Sequence, residues 1–254
     1  MTGLEKIATD EAIKAVAEKS ESLIKSLFGK AFNETGEMIA DQVKLRRFKN
    51  QVSIFEKAEK YLKDKNIDVL KVNLKVLAPM LEFSSYEEDK NLQELWAKLI
   101  TNILSKPTSI LLQQNSIEIL NKISNVEAKI LNHVHQKLRL ERQKRCNREN
   151  DTERLFYDNN KNVKPEDLRL DWFTFDISEI GKELNISLDN LETDISNLVA
   201  LGTLKYDTEV EVTCAEKSSD DPSDTSLDID LDVSDYTSIR MTKLGYVFVE
   251  FCTQ

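Results

Sequence analysis

The sequence predicts a mainly α-helical protein, in which an N-terminal helical domain precedes a winged-helix-like α/β domain with an acidic wing. Three observations indicate this fold class. Only 6 glycines and 4 prolines occur in 254 residues, too few for the glycine-rich turns of a doubly wound α/β enzyme. Apolar residues recur at helical spacing through most of the chain. Residues 124–254 have the order helix, short helix, helix, β-hairpin, closing helix, which is typical of a winged helix.

The N-terminal domain is predicted to span residues 1–122 and to begin with an amphipathic helix over residues 4–32. Two glycines predict a break near residues 29–36. A long helix follows over residues 38–65, where apolar residues return at helical spacing. Its middle, residues 44–49, is strongly basic. This basic segment is therefore predicted to lie on a helix.

Three shorter helices complete the domain. Residues 74–83 are apolar at helical spacing. The stretch Ser84-Ser-Tyr-Glu87 has the capping-box pattern, so it predicts the start of a helix that carries Trp96. Pro107 is expected to close that helix. Residues 109–122 form the last predicted helix of the domain.

The second domain is predicted to span residues 124–254 and to begin at another capping box, Ser124-Asn-Val-Glu127. A helix follows from this box. Residues 146–170 are polar and lack periodicity, so they predict a loop or insertion. Asp176 and Ser187 are predicted to cap the next two helices.

Strand-like alternation then predicts a β-hairpin. It occurs over residues 203–213, 227–233 and 238–241, and a closing helix is expected over residues 242–251. The segment at about residues 214–235 is the predicted acidic wing. The aspartates of the wing region are Asp220, Asp221, Asp224, Asp228, Asp230, Asp232 and Asp235.

The charge of the chain is unevenly distributed. The net charge is −10, yet the residues from Asp171 onward hold 19 acids and 5 bases, and those before it hold 26 acids and 30 bases. Contacts with nucleic acid or an anionic membrane are therefore expected from the first part of the chain. Because no apolar run is long enough to span a membrane and the three cysteines are widely spaced, a cytoplasmic location is predicted.

No sequence motif indicates catalysis or a metal site. The chain lacks the glycine-rich phosphate loops, the nucleophile elbow and the paired cysteines that mark common enzyme families. Its two histidines, His133 and His135, are two residues apart, and this spacing places them on different faces of a helix. We therefore predict a protein without enzymatic activity, metal or cofactor.

A nucleic-acid interface is the first alternative function. The candidate phosphate contacts are Lys44, Arg46, Arg47, Lys49, Lys137, Arg139, Arg142, Lys144, Arg145 and Arg148. The same residues also fit solvated helix ends, or cations that pair with the acidic C-terminal region. The predicted recognition helix, residues 188–202, carries three acids and no Lys or Arg. This composition argues against DNA binding through the winged helix.

The N-terminal amphipathic helix offers a second alternative, which is binding to a membrane surface. Its polar face mixes Glu and Lys, whereas helices that bind membrane surfaces are usually basic and richer in large aromatic residues. Core packing or self-association is therefore the preferred interpretation of this helix.

Several strings of residues resemble a known family. They are Gly36-Glu-Met-Ile-Ala-Asp-Gln-Val-Lys-Leu-Arg-Arg-Phe-Lys-Asn-Gln51, Leu74-Lys-Val-Leu-Ala-Pro79, Glu88-Asp-Lys-Asn-Leu-Gln-Glu-Leu-Trp-Ala-Lys-Leu99 and Leu120–Leu131. Together they resemble the abortive infection alpha family of bacterial proteins over residues 30–135. Gly36, Asp41, Phe48 and Trp96 belong to these strings, and we interpret them as structural residues.

The resemblance implies a role in defence against bacteriophage, in which infected cells arrest or die before progeny are released. It brings no catalytic residues with it. Taken with the charge pattern, it predicts a non-enzymatic defence protein that self-associates as a homo-oligomer and acts through contacts with a host or phage protein. Nucleic-acid binding and a membrane-surface role remain the alternatives. A hydrolase or nuclease that uses carboxylates, which leave no sequence motif, comes last.

Overall fold

The fold is mainly helical, with a small antiparallel sheet near the C-terminus. The computed structural model describes residues 18, 19, 22, 42–156, 163–207, 210–216, 227–233 and 238–253. Apart from residues 18, 19 and 22, which are helical, the predicted helix over residues 4–32 lies outside the described residues, as do Gly36 and Asp41. Lys19 forms an ion pair with Glu56.

The helices of the described residues are α1 (Gln42–Asp64), α2 (Leu74–Ser84), α3 (Lys90–Ser105), α4 (Ile110–Lys122), α5 (Asn125–Phe156), α6 (Ile177–Leu184), α7 (Leu188–Ala200) and α8 (Lys243–Thr253). The strands are β1 (Phe175–Asp176), β2 (Leu204–Asp207), β3 (Val210–Glu216), β4 (Leu227–Val233) and β5 (Ser238–Met241). No helix in this described part is long and apolar enough to cross a membrane.

The chain divides into two compact units. The first is Met1–Ala128 with Val247–Gln254, and the second is Lys129–Tyr246. The second half of α8 belongs to the first unit, where buried Asn102 donates a side-chain hydrogen bond to the Phe251 carbonyl at 2.7 Å. The Phe251 carbonyl, in the last turn of α8, is thus satisfied by a side chain of α3.

In the first unit, most helices begin where the sequence supplies a cap. The side-chain oxygens of Asn73 and Ser109 accept hydrogen bonds from first-turn N–H groups of α2 and α4. The capping box predicted at Ser124 is confirmed. Glu127 accepts from the Ser124 N–H at 2.6 Å, and the Ser124 hydroxyl accepts from the Glu127 N–H at 3.2 Å.

The capping box predicted at Ser84-Ser-Tyr-Glu87 is wrong. Ser84 ends α2, and α3 begins six residues further on, at Lys90. The cap of α3 is Asp89, whose Oδ1 accepts from the N–H groups of Asn91 at 2.7 Å and Leu92 at 3.1 Å. The Asp89 carboxylate satisfies two free amides and also places a negative charge at the helix start, where the helix dipole favours it.

Helix α5 extends to Phe156, well into the segment predicted as a polar loop over residues 146–170. Two contacts account for the polar helical extension. Arg145 pairs with Glu149 one turn later at 2.9 Å. Asn150 forms a two-way hydrogen bond with the main chain of Val163, at 2.9 and 2.8 Å. The returning chain therefore holds this part of the helix.

The sheet of the second unit has the strand order β1-β5-β2, and all pairs are antiparallel. The predicted helices that follow Asp176 and Ser187 are confirmed as α6 and α7, which lie between β1 and β2 in the chain. Strands β3 and β4 form a separate two-stranded ribbon, with Val210 opposite Val233 and Glu216 opposite Leu227. The predicted hairpin and closing helix are therefore present, while residues 217–226 and 234–237 lie outside the described residues.

Candidate functional site

The basic string on α1 is tied to the C-terminal end of α2. Arg47 donates from Nε to the Ser85 hydroxyl at 2.8 Å, and its guanidinium lies 4.3 Å from the centre of the Tyr86 ring. Asn50 donates to the Ser85 carbonyl at 3.1 Å, and Gln51 donates to the Leu81 carbonyl at 2.9 Å. These side chains satisfy carbonyls that a helix end leaves unpaired. Their contacts join two helices.

The string on α3 has a comparable role. Gln93 accepts a hydrogen bond from the Ser53 hydroxyl at 2.9 Å and donates to the Glu87 carbonyl at 2.9 Å. Glu94 accepts from the Tyr61 hydroxyl, and this hydrogen bond is the main reason that the Tyr61 pKa is raised to about 12. Trp96 has no exposed surface. The family-like string on α3 therefore packs against the part of α1 that follows the basic string, within the first unit.

Glu87 supplies a pH-dependent test of this region. Burial is the main cause that raises the pKa of its carboxyl. A carboxyl whose pKa is higher in the folded than in the unfolded state favours folding in its protonated form. Its contribution to the free energy of unfolding is therefore present at low pH and is lost as the pH rises through the folded-state pKa. Glu87→Gln is therefore expected to be more stable than the wild type at pH 7, with the difference vanishing on acidification.

The measurement is urea denaturation of both proteins at several pH values. The oxygen that accepts from the Asp89 N–H, at 2.8 Å, is retained in glutamine. Glu88→Gln is the matched control, because Glu88 is exposed and pairs with Arg46 at 2.9 Å. Equal stability of the Glu87 variant and the wild type at neutral pH would contradict the prediction.

The other basic residues of segment 44–49 are arranged as follows. Arg46 is exposed and pairs with Glu88. Lys49 is exposed, and the side chain of Lys44 lies outside the described residues. Phe48 is half-buried. Because Arg47 and Arg46 are engaged by the protein, phosphate binding at this segment would have to compete with existing contacts.

The basic segment of α5 is also divided among internal contacts. Lys137 pairs with Glu183 at 2.8 Å and with Glu179 at 3.3 Å. Lys144 pairs with Glu141 at 2.7 Å. Arg145 pairs with Glu149, and its guanidinium lies 4.4 Å from the centre of the exposed Trp172 ring. The ion pairs lower the local positive charge.

Three further basic residues of this segment lie in different environments. Arg139 and Arg148 are exposed. Arg142 is only 5% exposed, and it donates a hydrogen bond to the Leu168 carbonyl at 3.0 Å. Within α5, the six predicted phosphate contacts therefore do not form one exposed row, because Arg142 is buried. Nucleic-acid binding through them stays a prediction.

The histidines occupy different environments, as their spacing predicts. His133 bonds to Glu183, with 2.7 Å between Nε2 and Oε2, and His135 is buried with its ring centre 4.7 Å from that of Tyr246. The His133 and Lys137 contacts lower the Glu183 pKa, and the Lys137 hydrogen bond is the larger cause. No group of three metal-ligand side chains occurs among the described residues.

An apolar groove in the first unit is a feature that sequence analysis missed. It has a volume of about 460 Å³ and lies between the connector after α1, the end of α3 and the start of α4. Val72 and Ile103 form its buried floor, and Leu70 and Ile110 line it with partly exposed side chains. The Leu70 N–H donates to the Leu104 carbonyl at 2.8 Å, which holds the connector against α3.

Further exposed apolar side chains adjoin groove residues in the sequence, and together with the exposed groove residues we call them the apolar patch. Half of the ten large hydrophobic side chains that are exposed in the described part of the chain belong to it: Val69, Leu70, Leu74, Ile110 and Leu111. Leu74 and Leu111, which adjoin groove residues in the sequence, are 57% and 67% exposed. Clustered exposed apolar surface of this kind marks binding sites on soluble proteins.

Three lysines line the groove or adjoin a residue of the apolar patch in the sequence. Lys71 and Lys106 line the groove, and Lys75 follows Leu74 in the first turn of α2. All three are exposed, and none forms an ion pair with another described residue. A sequence signal existed, because Leu70-Lys-Val and Leu74-Lys-Val repeat an apolar–lysine pattern, but periodicity showed only that Leu74 belongs to an apolar helix. We call the patch and these three lysines the basic-rimmed groove.

Comparison with known proteins identifies one family. The family model described as abortive infection alpha matches residues 40–252. This match covers most of the chain and includes the acidic C-terminal part. Searches of curated proteins and of solved structures give no significant match.

Proposed function

The chain belongs to the abortive infection alpha family, and from this premise we propose that it acts without catalysis, by binding a protein partner. Membership of the family implies abortive infection, a defence against phage. The observation that carries the proposal is the basic-rimmed groove. Its apolar floor, its exposed leucines and its lysines, which form no ion pair with a described residue, fit a protein surface better than a small substrate.

The chemistry of the groove selects the kind of partner. Three lysines around exposed leucines and isoleucine attract a segment that is itself apolar on one side and acidic on the other. An amphipathic helix of this composition would place its apolar face in the groove and its carboxylates near Lys71, Lys75 and Lys106. We therefore propose an acidic amphipathic helix of a host or phage protein as the occupant.

We also propose that Lys129–Tyr246 is a winged-helix-like module that contacts a protein. The strand order β1-β5-β2, with α6 and α7 between β1 and β2, supports this interpretation. Asp189 and Glu192 are exposed on α7, the counterpart of a recognition helix. Acidic side chains at that position would repel DNA phosphates. A cytoplasmic location and self-association accompany the proposal as predictions of the sequence.

Charge reversal at the groove tests the proposed function. Lys71→Glu, Lys75→Glu and Lys106→Glu, combined in one variant, are expected to abolish protection against phage in a plaque assay. Because like charges would then face the acidic partner, binding should weaken by about tenfold or more. The fold should be unchanged, since all three side chains are exposed.

The control carries the same charge change elsewhere on the first unit. Lys49, Lys60 and Lys90 are also exposed, and their combined replacement by glutamate is expected to leave protection intact. A photo-crosslinking residue at position 111 should then capture a protein whose cross-linked segment is an acidic amphipathic helix. Full protection by the groove variant, or capture of a basic or polar segment, would overturn the proposal.

A further inference from the structure

A second pocket lies in the unit Lys129–Tyr246, apart from the groove of the first unit. It has a volume of about 460 Å³, which lies within the usual range for small-molecule sites. Side chains from α5, the segment after Lys164, β2 and the start of α8 line it. The pocket thus collects residues that are far apart in the sequence.

Arg142 is a buried cation in the lining of this pocket. Its side chain lines the pocket although the residue is 95% buried, and no carboxylate of a described residue pairs with it. One guanidinium nitrogen donates to the Leu168 carbonyl, and the charge lies 5.4 Å from the centre of the Tyr246 ring. The Nε donor is buried without a partner. A buried cation that lacks a counter-ion is costly.

Two lysines and a helix start add positive potential. Lys205 on β2 and Lys243 at the first position of α8 line the pocket, and both side chains are exposed. Neither forms an ion pair within 4 Å with a described residue, and Lys243 lies 5.9 Å from the centre of the Tyr246 ring. Thr242, which precedes α8, also lines it. The Gly245 N–H of the first turn donates to the Thr242 hydroxyl at 3.0 Å, and the first turn of a helix carries partial positive charge.

The acidic side chains of the pocket do not compensate Arg142. Asp171 is held by Arg169 in a two-bond fork, and its pKa is lowered mainly by that contact, with Lys205 contributing. Asp167 accepts a hydrogen bond from the Lys164 N–H at 3.0 Å. Glu166 is exposed at the rim. The buried guanidinium therefore lacks an anion that the described residues supply.

We propose that this pocket binds the phosphate group of a small molecule, with Arg142, Lys205 and Lys243 as the cationic contacts. Arginine pairs with phosphate through two parallel hydrogen bonds, and lysine binds phosphate as a point charge. A helix start is a common third component of phosphate sites. This ligand site is independent of the protein partner proposed for the groove, and either proposal stands if the other fails.

Calorimetric titration of the full chain at low ionic strength tests the site. The probes are inorganic phosphate, pyrophosphate and AMP. The variant Lys205→Ala/Lys243→Ala is expected to lower the affinity for the best probe by about tenfold or more. The matched control is Lys129→Ala/Lys182→Ala, which removes two exposed lysines of the same unit and should leave the affinity unchanged.

Arg142→Lys keeps the charge but loses the two-bond geometry, so it should bind phosphate more weakly than the wild type. Because exposed Lys205 and Lys243 are not needed for folding, their variant keeps the test valid even if an Arg142 variant unfolds. AMP binding more tightly than phosphate would indicate a nucleotide, and equal affinities would indicate recognition of the phosphate group alone. Failure of all three probes to bind, or binding unaffected by the double lysine variant, would overturn the proposal.

Discussion

Replacing Trp96 with alanine is expected to lower the free energy of unfolding by about 3–5 kcal/mol. Trp96 lies on α3 with no exposed surface, and it is among the largest fully buried side chains of the described residues. Alanine would leave a cavity that the packed helices of the first unit cannot fill. Urea denaturation followed by circular dichroism measures the loss.

The variant Trp96→Phe distinguishes the contribution of ring packing from that of the indole Nε1–H group. The Trp96 Nε1 donor is buried and has no hydrogen-bond partner, so its removal relieves a polar group that the core does not satisfy. Phenylalanine is therefore expected to cost no more than about 2 kcal/mol. A phenylalanine variant as unstable as the alanine variant would show that Nε1 makes an essential bond.

The Trp96 result bears on how the family is studied. Loss of phage protection in the alanine variant would follow from unfolding, because the residue contacts no solvent. The same caution applies to Arg47, Asn50 and Gln51, whose side chains join α1 to the end of α2. Protection assays on these residues therefore need a stability measurement beside them, whereas the exposed lysines of the groove report on binding.

Replacing Gly245 with alanine is expected to destabilise the second unit by about 3 kcal/mol. A Cβ atom at this position would lie 2.1 Å from the Thr203 carbonyl oxygen and 2.9 Å from its carbon. The contacted atoms are main chain, and Thr242 hydrogen-bonds to the same carbonyl from its N–H at 3.0 Å. Neither α8 nor the residues that precede β2 can move apart without losing this hydrogen bond.

Gly202→Ala is the informative comparison. Gly202 has a φ angle of +70°, but an added Cβ would meet only Leu244, at 3.8 Å. The expected cost is therefore about 1–2 kcal/mol, from backbone conformation alone. Thermal unfolding of both variants measures the difference. A Gly245 variant more stable than the Gly202 variant would contradict the close approach of α8 to Thr203.

Helices with a strong cap or a clear stop were predictable from local sequence. The capping box at Ser124 and the helix after Asp176 form as expected, because their caps bond to amides within three residues. The helix start predicted at Ser84 was wrong because a better cap, Asp89, follows. Competition between two nearby caps depends on how many amides each satisfies, and a single pattern does not reveal it.

The limits of pattern analysis are clearest at the polar end of α5. Residues 146–156 lack apolar periodicity, yet they are helical. Asn150 bonds to Val163, which is distant in the sequence. Such a contact stabilises a polar helix from outside, and it leaves no local signal.

Local sequence thus specified the helical class, most helix ends, the hairpin and the family strings, because caps, turns and periodicity act over a few residues. Tertiary packing decided which basic residues are paired, buried or exposed. It paired Lys137 with α6, buried Arg142 beside a pocket and left Lys71, Lys75 and Lys106 exposed. The physical reason is that a charge acquires its role from burial and from partners brought close by folding, and neither is encoded in its immediate neighbours.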